Sequence, residues 1–184
     1  MFSFAYAEQS QKYFQKLTTN NKTIIILGSS RSDGDTRAVA GFLLKNSAAA
    51  MIDLNDYNIG YFDYGNKNAD DDFIPLMRKI IPRYERIIFA TPVYWYSMSA
   101  VMKTFFDRIS DLLKWEKDLG RELRGKAMAV VSCSGSDDLI DGFDMPFRES
   151  ADYLGMEYLG HAHTWVKEGK ISEKGKQRMM ELFK

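Results

Sequence analysis

Short apolar runs alternate with helical patterns along most of this chain, and this alternation limits the fold more than any other feature. The first run, Thr23–Leu27, is continuous and rich in β-branched residues, as is typical of a strand buried on both faces of a parallel sheet. Further strands are predicted at about 50–54, 86–91, 126–132 and 158–165, and helices at about 36–46, 70–81, 99–113, 143–154 and 173–183. The order predicts an α/β fold, in which a doubly wound sheet of five parallel strands carries helices on both faces.

The 184 residues suit one domain with a sizeable core. Residues 1–21 fall outside the alternating pattern and are interpreted as an N-terminal extension, either loosely packed or helical against a neighbouring subunit. Residues 22–184 are predicted to form the single domain. Lys plus Arg equals Asp plus Glu, 25 each, so no charge excess favours nucleic acid or an anionic membrane as a partner. No apolar run approaches the roughly 20 residues that cross a bilayer, and the N-terminus lacks the basic start of a signal peptide, so a cytoplasmic location is expected.

A loop of small and polar residues joins the first strand to the first helix, and its composition suits a phosphate. Small residues let backbone N–H groups point inward, and a helix N-terminus adds a favourable dipole. The loop lacks the glycine spacing of dinucleotide sites and the Gly-Lys-Ser/Thr of P-loops, which argues against a Rossmann dehydrogenase or an NTPase. The alternative is an ordinary polar loop before a helix with Asp35 as its N-cap. The predicted phosphate ligands are Ser29, Arg31 and Thr36, with Ser30 and Gly34 helping through the backbone.

Three consecutive aromatic residues follow the third predicted strand at its turn into a helix. Such rings could cover one face of a flat heterocycle, while backbone groups of the same turn bond its edge. The alternative is that the rings fill the core or a subunit interface. The predicted ring contacts in this turn are Pro92, Val93, Tyr94, Trp95 and Tyr96.

Small residues also follow the fourth predicted strand, where Ser132, Ser134 and Gly135 are predicted to contact the second side of the same ring. Donors at that place would stabilise the negative charge that a flavin gains on reduction. Loops after strands one, three and four of a parallel sheet share one edge, the place where ligands of such sheets bind. A phosphate at one end and an aromatic ring system at the other indicate a nucleotide-like ligand, and FMN is the simplest candidate.

Three further residues could carry chemistry, and a packing role is expected for each. Cys133 is the single cysteine, which excludes an intrachain disulfide, and it is interpreted as a small packed residue rather than a nucleophile. His161 and His163 alternate on one predicted strand and would share a face. Two ligands are too few for a metal site, so no metal is predicted.

On these residues the chain resembles the NADPH-dependent FMN reductase family of flavodoxin-like flavoproteins, over roughly 23–165. The motifs are Gly28-Ser29-Ser30-Arg31-x-x-Gly34-x-Thr36, Thr91-Pro92-Val93-Tyr94-Trp95, Met98 and Lys103-x-x-x-Asp107-Arg108. The resemblance implies the strand order 2-1-3-4-5, an FMN phosphate on the first motif, the isoalloxazine ring on the second, and a structural role for the Asp107-Arg108 pair. It also implies a homodimer with the flavin near the subunit boundary. Because residues 57–70 contain no cysteine, the chain is similar to members without an iron–sulfur cluster.

The predicted function is that of an FMN-dependent NAD(P)H oxidoreductase. A hydride would pass from NAD(P)H to the flavin and then to a quinone, a nitro or azo compound, or free flavin, without a side-chain acid or base. One alternative is a flavodoxin-like electron carrier without substrate turnover. The zero formal net charge argues against it, because such carriers are usually strongly acidic. Another alternative is a flavin-free domain on the same fold.

Overall fold

A twisted sheet forms the centre of the computed structural model, which describes residues 22–182; the predicted extension at 1–21 lies outside the described residues. The strands are β1 (Thr23–Leu27), β2 (Ala49–Asp53), β3 (Arg86–Pro92), β4 (Ala127–Ser134), β5 (Glu157–Lys167) and β6 (Lys170–Ile171). Their order is β2-β1-β3-β4-β5-β6, and the first five are parallel. The predicted order of five strands is confirmed, but the predicted number is one too low.

The additional strand, β6, is the return arm of a two-residue hairpin at the sheet edge. Glu168 and Gly169 have φ of 51° and 71°, which is the left-handed pair that a tight hairpin turn requires. Beyond the turn, Lys170 and Ile171 pair antiparallel with β5. Two residues are too few to show an alternating pattern, so the sequence gives no signal for this strand.

Helices cover both faces of the sheet, as predicted. They are α1 (Asp35–Asn46), α2 (Phe73–Ile80), α3 (Ala100–Lys114), α4 (Lys117–Arg121), α5 (Met145–Leu154) and α6 (Glu173–Glu181), with a 3-10 turn at Leu54–Asp56. The sequence missed α4 and the 3-10 turn, which are short. Alternate residues of β1 separate two cores: Ile24 packs with α2, α3 and α5, whereas Ile25 packs with α1 and α6.

A buried arginine of α3 ties the long segment before α2 to the core. The guanidinium of Arg108 donates to Asp71 and Asp111, and to the backbone oxygens of Gly60 and Asn68 at 3.0 and 3.1 Å. Burial alone lowers the pKa of Arg108, but the bonds and charges of the two carboxylates outweigh it and raise the pKa overall. The structural role implied for this position is therefore confirmed by its contacts.

Within residues 22–182, no helix combines the length and the apolar character that a membrane span requires.

Candidate functional site

Three loops meet at the edge where β1, β3 and β4 end. The backbone N–H of Gly28 donates to the oxygen of Ala90 at 2.9 Å, and that of Val93 donates to the oxygen of Cys133 at 2.9 Å. The ladder is thus continuous up to the point where the loops begin. The three segments predicted to share one ligand are neighbours in space.

The loop after β1 leads into a helix that no side chain caps. Gly34, rather than Asp35, is the N-cap of α1, and as a glycine it offers no side-chain acceptor to the first turn. The interpretation of Asp35 as the cap was wrong, because this residue already lies inside the first turn. The uncapped amides and the positive end of a 12-residue helix suit an anion. Asp33 and Asp35 are exposed.

Close packing within this loop places the guanidinium of Arg31 beside the N-terminus of α1. A Cβ on Gly34 would lie 2.6 Å from Nε of Arg31, so the guanidinium side chain lies directly over the start of α1. Ser29 and Thr36 are buried at the two ends of the loop, and Ser30 is exposed at its tip. A site with hydroxyls, free amides and one fixed positive charge fits a phosphate group.

Two residues outside the predicted set hold the loop in place. The side-chain amide of Asn55 donates to the oxygen of Ser29 at 2.9 Å, and Asn55 is itself fixed by Asp53. Ser99 is the N-cap of α3, and its hydroxyl also donates to the oxygen of Gly28 at 2.8 Å. An Asp-x-Asn turn and a Ser before a helix were available as signals in the sequence, but their long-range partners were not.

The aromatic turn after β3 is strained and points its rings outward. Tyr94 and Ser97 exchange two backbone hydrogen bonds at 2.9 and 3.0 Å, so Trp95 and Tyr96 form a two-residue turn. Their φ values are 48° and 64°, a left-handed pair for which Asn-Gly is preferred. Trp95 is 93% exposed and Tyr96 64% exposed, so these rings do not fill the core of the chain. Strain that exposes large rings is typical of a binding site.

The aromatic turn and the phosphate-like loop are in direct contact. The hydroxyl of Tyr94 lies 2.7 Å from the hydroxyl of Ser30. Pro92 is buried at the end of β3 and Val93 is half-buried, so both are less accessible than the three rings. Of the predicted ring contacts, the three aromatic residues are the accessible ones.

The end of β4 and the start of the loop after it are divided between buried and exposed residues. Ser134 is half-buried and Gly135 is exposed at the site edge. Ser132 is fully buried, and its hydroxyl lies 2.7 Å from Nε2 of His161 and 2.8 Å from Nδ1 of His163. The Ser132 hydroxyl is thus committed to these two rings.

The electrostatics of the neighbouring groups support packing roles. Burial, together with the charge of Asp35, raises the pKa of the Cys133 thiol to about 12, so the thiol stays protonated and unreactive. Burial lowers the pKa of His161 to about 4, against the opposite effect of Asp144. His161 also stacks on Phe143, with ring centroids 5.2 Å apart.

Comparison with known proteins places the chain among flavin-dependent reductases. The family described as NADPH-dependent FMN reductase matches residues 21–170. A Bacillus subtilis (strain 168) protein named as an NAD(P)H-dependent FMN-containing oxidoreductase, YwqN, is 27% identical over 150 residues, which cover 76% of this chain and 82% of that protein.

Two solved structures share the fold. The Trp repressor binding protein from Bacillus subtilis has a TM-score of 0.64 at 24% identity, with 88% of this chain and 95% of that chain covered. An NADPH-quinone reductase from P. pentosaceus has a TM-score of 0.60 at 17% identity, with 88% and 94% covered. At these identities the likeness concerns the fold alone.

Proposed function

The chain belongs to the NADPH-dependent FMN reductase family, and we propose that it reduces a quinone, a nitro or azo compound, or free flavin with electrons from NAD(P)H. It is an NAD(P)H-dependent oxidoreductase, and FMN is its cofactor. FMN, when bound, supplies the group that takes a hydride from NAD(P)H and passes it to the acceptor. The observation that carries the proposal is the strained, exposed aromatic turn that is bonded to an uncapped helix N-terminus through Tyr94 and Ser30.

The phosphate end of the cofactor is assigned to the loop after β1. Arg31 would neutralise the phosphate, while the free amides at the start of α1 would donate to its oxygens. The hydroxyl of Ser30 also contacts that of Tyr94 and so links the phosphate end to the aromatic turn. The assigned phosphate residues are Ser29, Ser30, Arg31, Gly34 and Thr36.

The ring end is assigned to the loops after β3 and β4. Tyr94, Trp95 and Tyr96 would cover one face of the ring, and their apolar surface would exclude water from it. Pro92 and Val93 at the end of β3 would line the ring edge, and backbone groups at the end of β4 and in the loop after it would bond that edge. The assigned edge residues are Pro92, Val93, Ser132, Ser134 and Gly135.

An open second face of the ring leads to a kinetic scheme. NAD(P)H and the acceptor would occupy the same place in turn, which gives ping-pong kinetics with parallel double-reciprocal lines. Flat aromatic acceptors suit such a place because they stack on ring systems. Intersecting lines would contradict the shared place but not the reductase activity.

The acceptor class is supported by the family and by the charge of the chain. The fold is shared with an NADPH-quinone reductase from P. pentosaceus. An electron carrier is the other candidate, but 25 basic and 25 acidic residues leave no acidic surface excess for docking to redox partners.

A cytoplasmic homodimer is the proposed state of the protein. Trp95, at 93% exposure beside the assigned site, offers a large apolar surface that a second subunit would cover. Light scattering of the purified chain measures the mass directly. A monomeric mass at micromolar concentration would contradict the homodimer.

The test of the proposed function begins with the visible spectrum of the chain after loading with FMN and removal of the excess. We expect a retained flavin spectrum that bleaches on anaerobic addition of NADPH or NADH and recovers on addition of a quinone. Retained flavin that does not bleach would indicate an electron carrier. No retained flavin would contradict the assignment of all three loops.

A pair of variants tests the phosphate end separately. Gly34→Ala places a methyl group 2.6 Å from Nε of Arg31, so we expect about 10-fold weaker FMN binding, in the range of one lost charged hydrogen bond. Binding of riboflavin, which lacks the phosphate, should not change. Gly41→Ala is the matched control. Gly41 lies on the helix that Gly34 caps, and a Cβ added there would have no neighbour within 4 Å.

A further inference from the structure

Two histidines of β5 and one serine of β4 form a partly buried hydrogen-bonded chain that the proposed function does not use. Ser132 lies between Nε2 of His161, at 2.7 Å, and Nδ1 of His163, at 2.8 Å. At the far side of the second ring, Nε2 of His163 lies 3.0 Å from the backbone oxygen of Ser136. The chain thus runs from the interior of β5 to the loop after β4.

An irregularity in β5 brings these residues to one face. The register with β4 shifts between Met128 and Ala129, which pair with Tyr158 and Gly160 and leave one residue of β5 over. Gly160 has a φ of 115°, which side chains rarely adopt. Without the extra residue, Ala162 rather than His163 would pair with Ser132. A bulge that re-aims two side chains beside a site is typically a functional device.

The hydrogen-bond partners fix the position of each hydrogen along the series His161–Ser132–His163. The oxygen of Ser136 can only accept, so Nε2 of His163 carries a hydrogen; in the tautomer with this single N–H, Nδ1 accepts. The Ser132 hydroxyl must then donate to that Nδ1 and accept from Nε2–H of His161. All three hydrogen bonds point the same way and end on the loop after β4.

The end point of the chain is the loop assigned to the flavin ring edge. Nε2 of His163 also lies 3.3 Å from the hydroxyl of Ser134, which in turn donates to the oxygen of Ser136 at 2.8 Å. We propose that His163, oriented by Ser132 and His161, is a positioning residue that holds this loop in the shape that binds FMN. The inference rests on the proposed function.

The charges around the two rings leave this arrangement intact. Asp144 and Arg178 act on His161 in opposite directions, and burial outweighs both, so this ring stays neutral at ordinary pH. Arg178 is occupied by Asp137 at 2.7 Å and by the oxygen of His163 at 3.3 Å. A cavity of about 250 Å³ adjoins both histidine rings, and the charged residues that line it are Asp137, Asp141, Asp144 and Arg178.

The test separates the two nitrogens of His163 by two amide variants. In His163→Gln the amide nitrogen replaces Nε2 and can still donate to Ser136, whereas in His163→Asn it replaces Nδ1 and cannot. We expect FMN binding, measured by quenching of its fluorescence, to weaken about 3- to 10-fold in His163→Asn and less than about 2-fold in His163→Gln. Tyr158→Phe is the matched control, because it removes a bond from β5 to Asp144, the N-cap of α5, and leaves the contacts of His163 with Ser134 and Ser136 in place.

Each outcome decides the inference. Equal FMN affinities for both variants, with folding verified by circular dichroism, would overturn it and leave the proposed function standing. No FMN binding by the unaltered chain would overturn both. A readout without FMN is the long-range ¹H–¹⁵N spectrum of the histidines at pH 8, in which we expect Nε2–H on both rings. Nδ1–H on His163 would overturn the chain of protons itself.

Discussion

The hydroxyl groups of Ser30 and Tyr94 lie 2.7 Å apart, although 64 positions separate the two residues in sequence. One belongs to the loop that precedes α1 and the other to the turn that follows β3. Both residues are exposed, so neither core packing nor a helix forces them together. The contact therefore joins the assigned phosphate and ring ends of the site into one unit.

This contact predicts coupling between the two ends. Ser30→Ala and Tyr94→Phe each remove one hydroxyl, and we expect each to weaken FMN binding about 3- to 10-fold. The double variant should be little weaker than either single one, with a coupling energy of about 0.6–1.4 kcal/mol in a double-mutant cycle. Isothermal titration with FMN measures all four affinities.

The control for this cycle is Tyr61→Phe, which removes the hydroxyl of a tyrosine that is 70% exposed outside the assigned site. Its FMN affinity should match that of the unaltered chain. Fully additive losses in the cycle would show that the two hydroxyls act separately.

The left-handed turn predicts a conflict between stability and binding. In the variant Trp95→Asn/Tyr96→Gly the turn receives the residues that its φ values of 48° and 64° prefer. We expect the free protein to gain about 1 kcal/mol in the free energy of unfolding, and FMN affinity to fall about 10-fold or more as the stacking rings are lost. Urea unfolding of the cofactor-free protein and FMN titration measure the two effects. Unchanged FMN affinity would contradict the assignment of these two rings to the FMN site.

Much of the fold follows from the sequence because parallel strands leave a strong local signal. Runs such as Thr23–Leu27 are apolar on both faces, and the helices between them show one apolar stripe. The short elements β6 and α4 left no such signal. The extra residue near Gly160 was also hidden, because a bulge depends on the register of two strands rather than on either one.

The site was predictable as a set of loops but not as a set of contacts. Small residues after β1 and aromatic residues after β3 indicated what each loop can bind, and the parallel sheet indicated that they share an edge. The contact of Ser30 with Tyr94 and that of Ser99 with Gly28 join distant segments, and no local pattern encodes them. Ser132 was assigned to the ligand from position alone, whereas its hydroxyl is bonded to two histidines.

The buried Arg108 predicts a large effect on stability. Asp71→Ala would leave the guanidinium without one of its two carboxylate partners in a site where Arg108 is 1% exposed. We expect a loss of about 3–5 kcal/mol in the free energy of unfolding, because an unpaired buried charge is costly. Urea unfolding measures it.

The matched control for that variant is Asp118→Ala, which breaks the ion pair with Arg121 on the surface of α4. Both side chains of that pair are largely exposed, so the change should stay below about 0.5 kcal/mol. Similar losses in the two variants would show that the Arg108 network does not anchor the segment before α2.

The half-buried ring of His161 predicts how stability depends on pH. Its pKa is about 4 in the folded chain and 6.5 as a free side chain. Between these pH values the unfolded chain binds a proton at His161 and the folded chain does not. The contribution of His161 to the free energy of unfolding is therefore fully present above pH 6.5. It falls as the pH drops towards 4, by at most about 1.4 kcal/mol per pH unit. Asp137 acts in a separate window, because its pKa of about 2 makes its contribution disappear only below 3.8. Urea unfolding between pH 4.5 and 7.5 should show a slope in the unaltered chain that is reduced in His161→Gln, and equal slopes would contradict the burial of this ring.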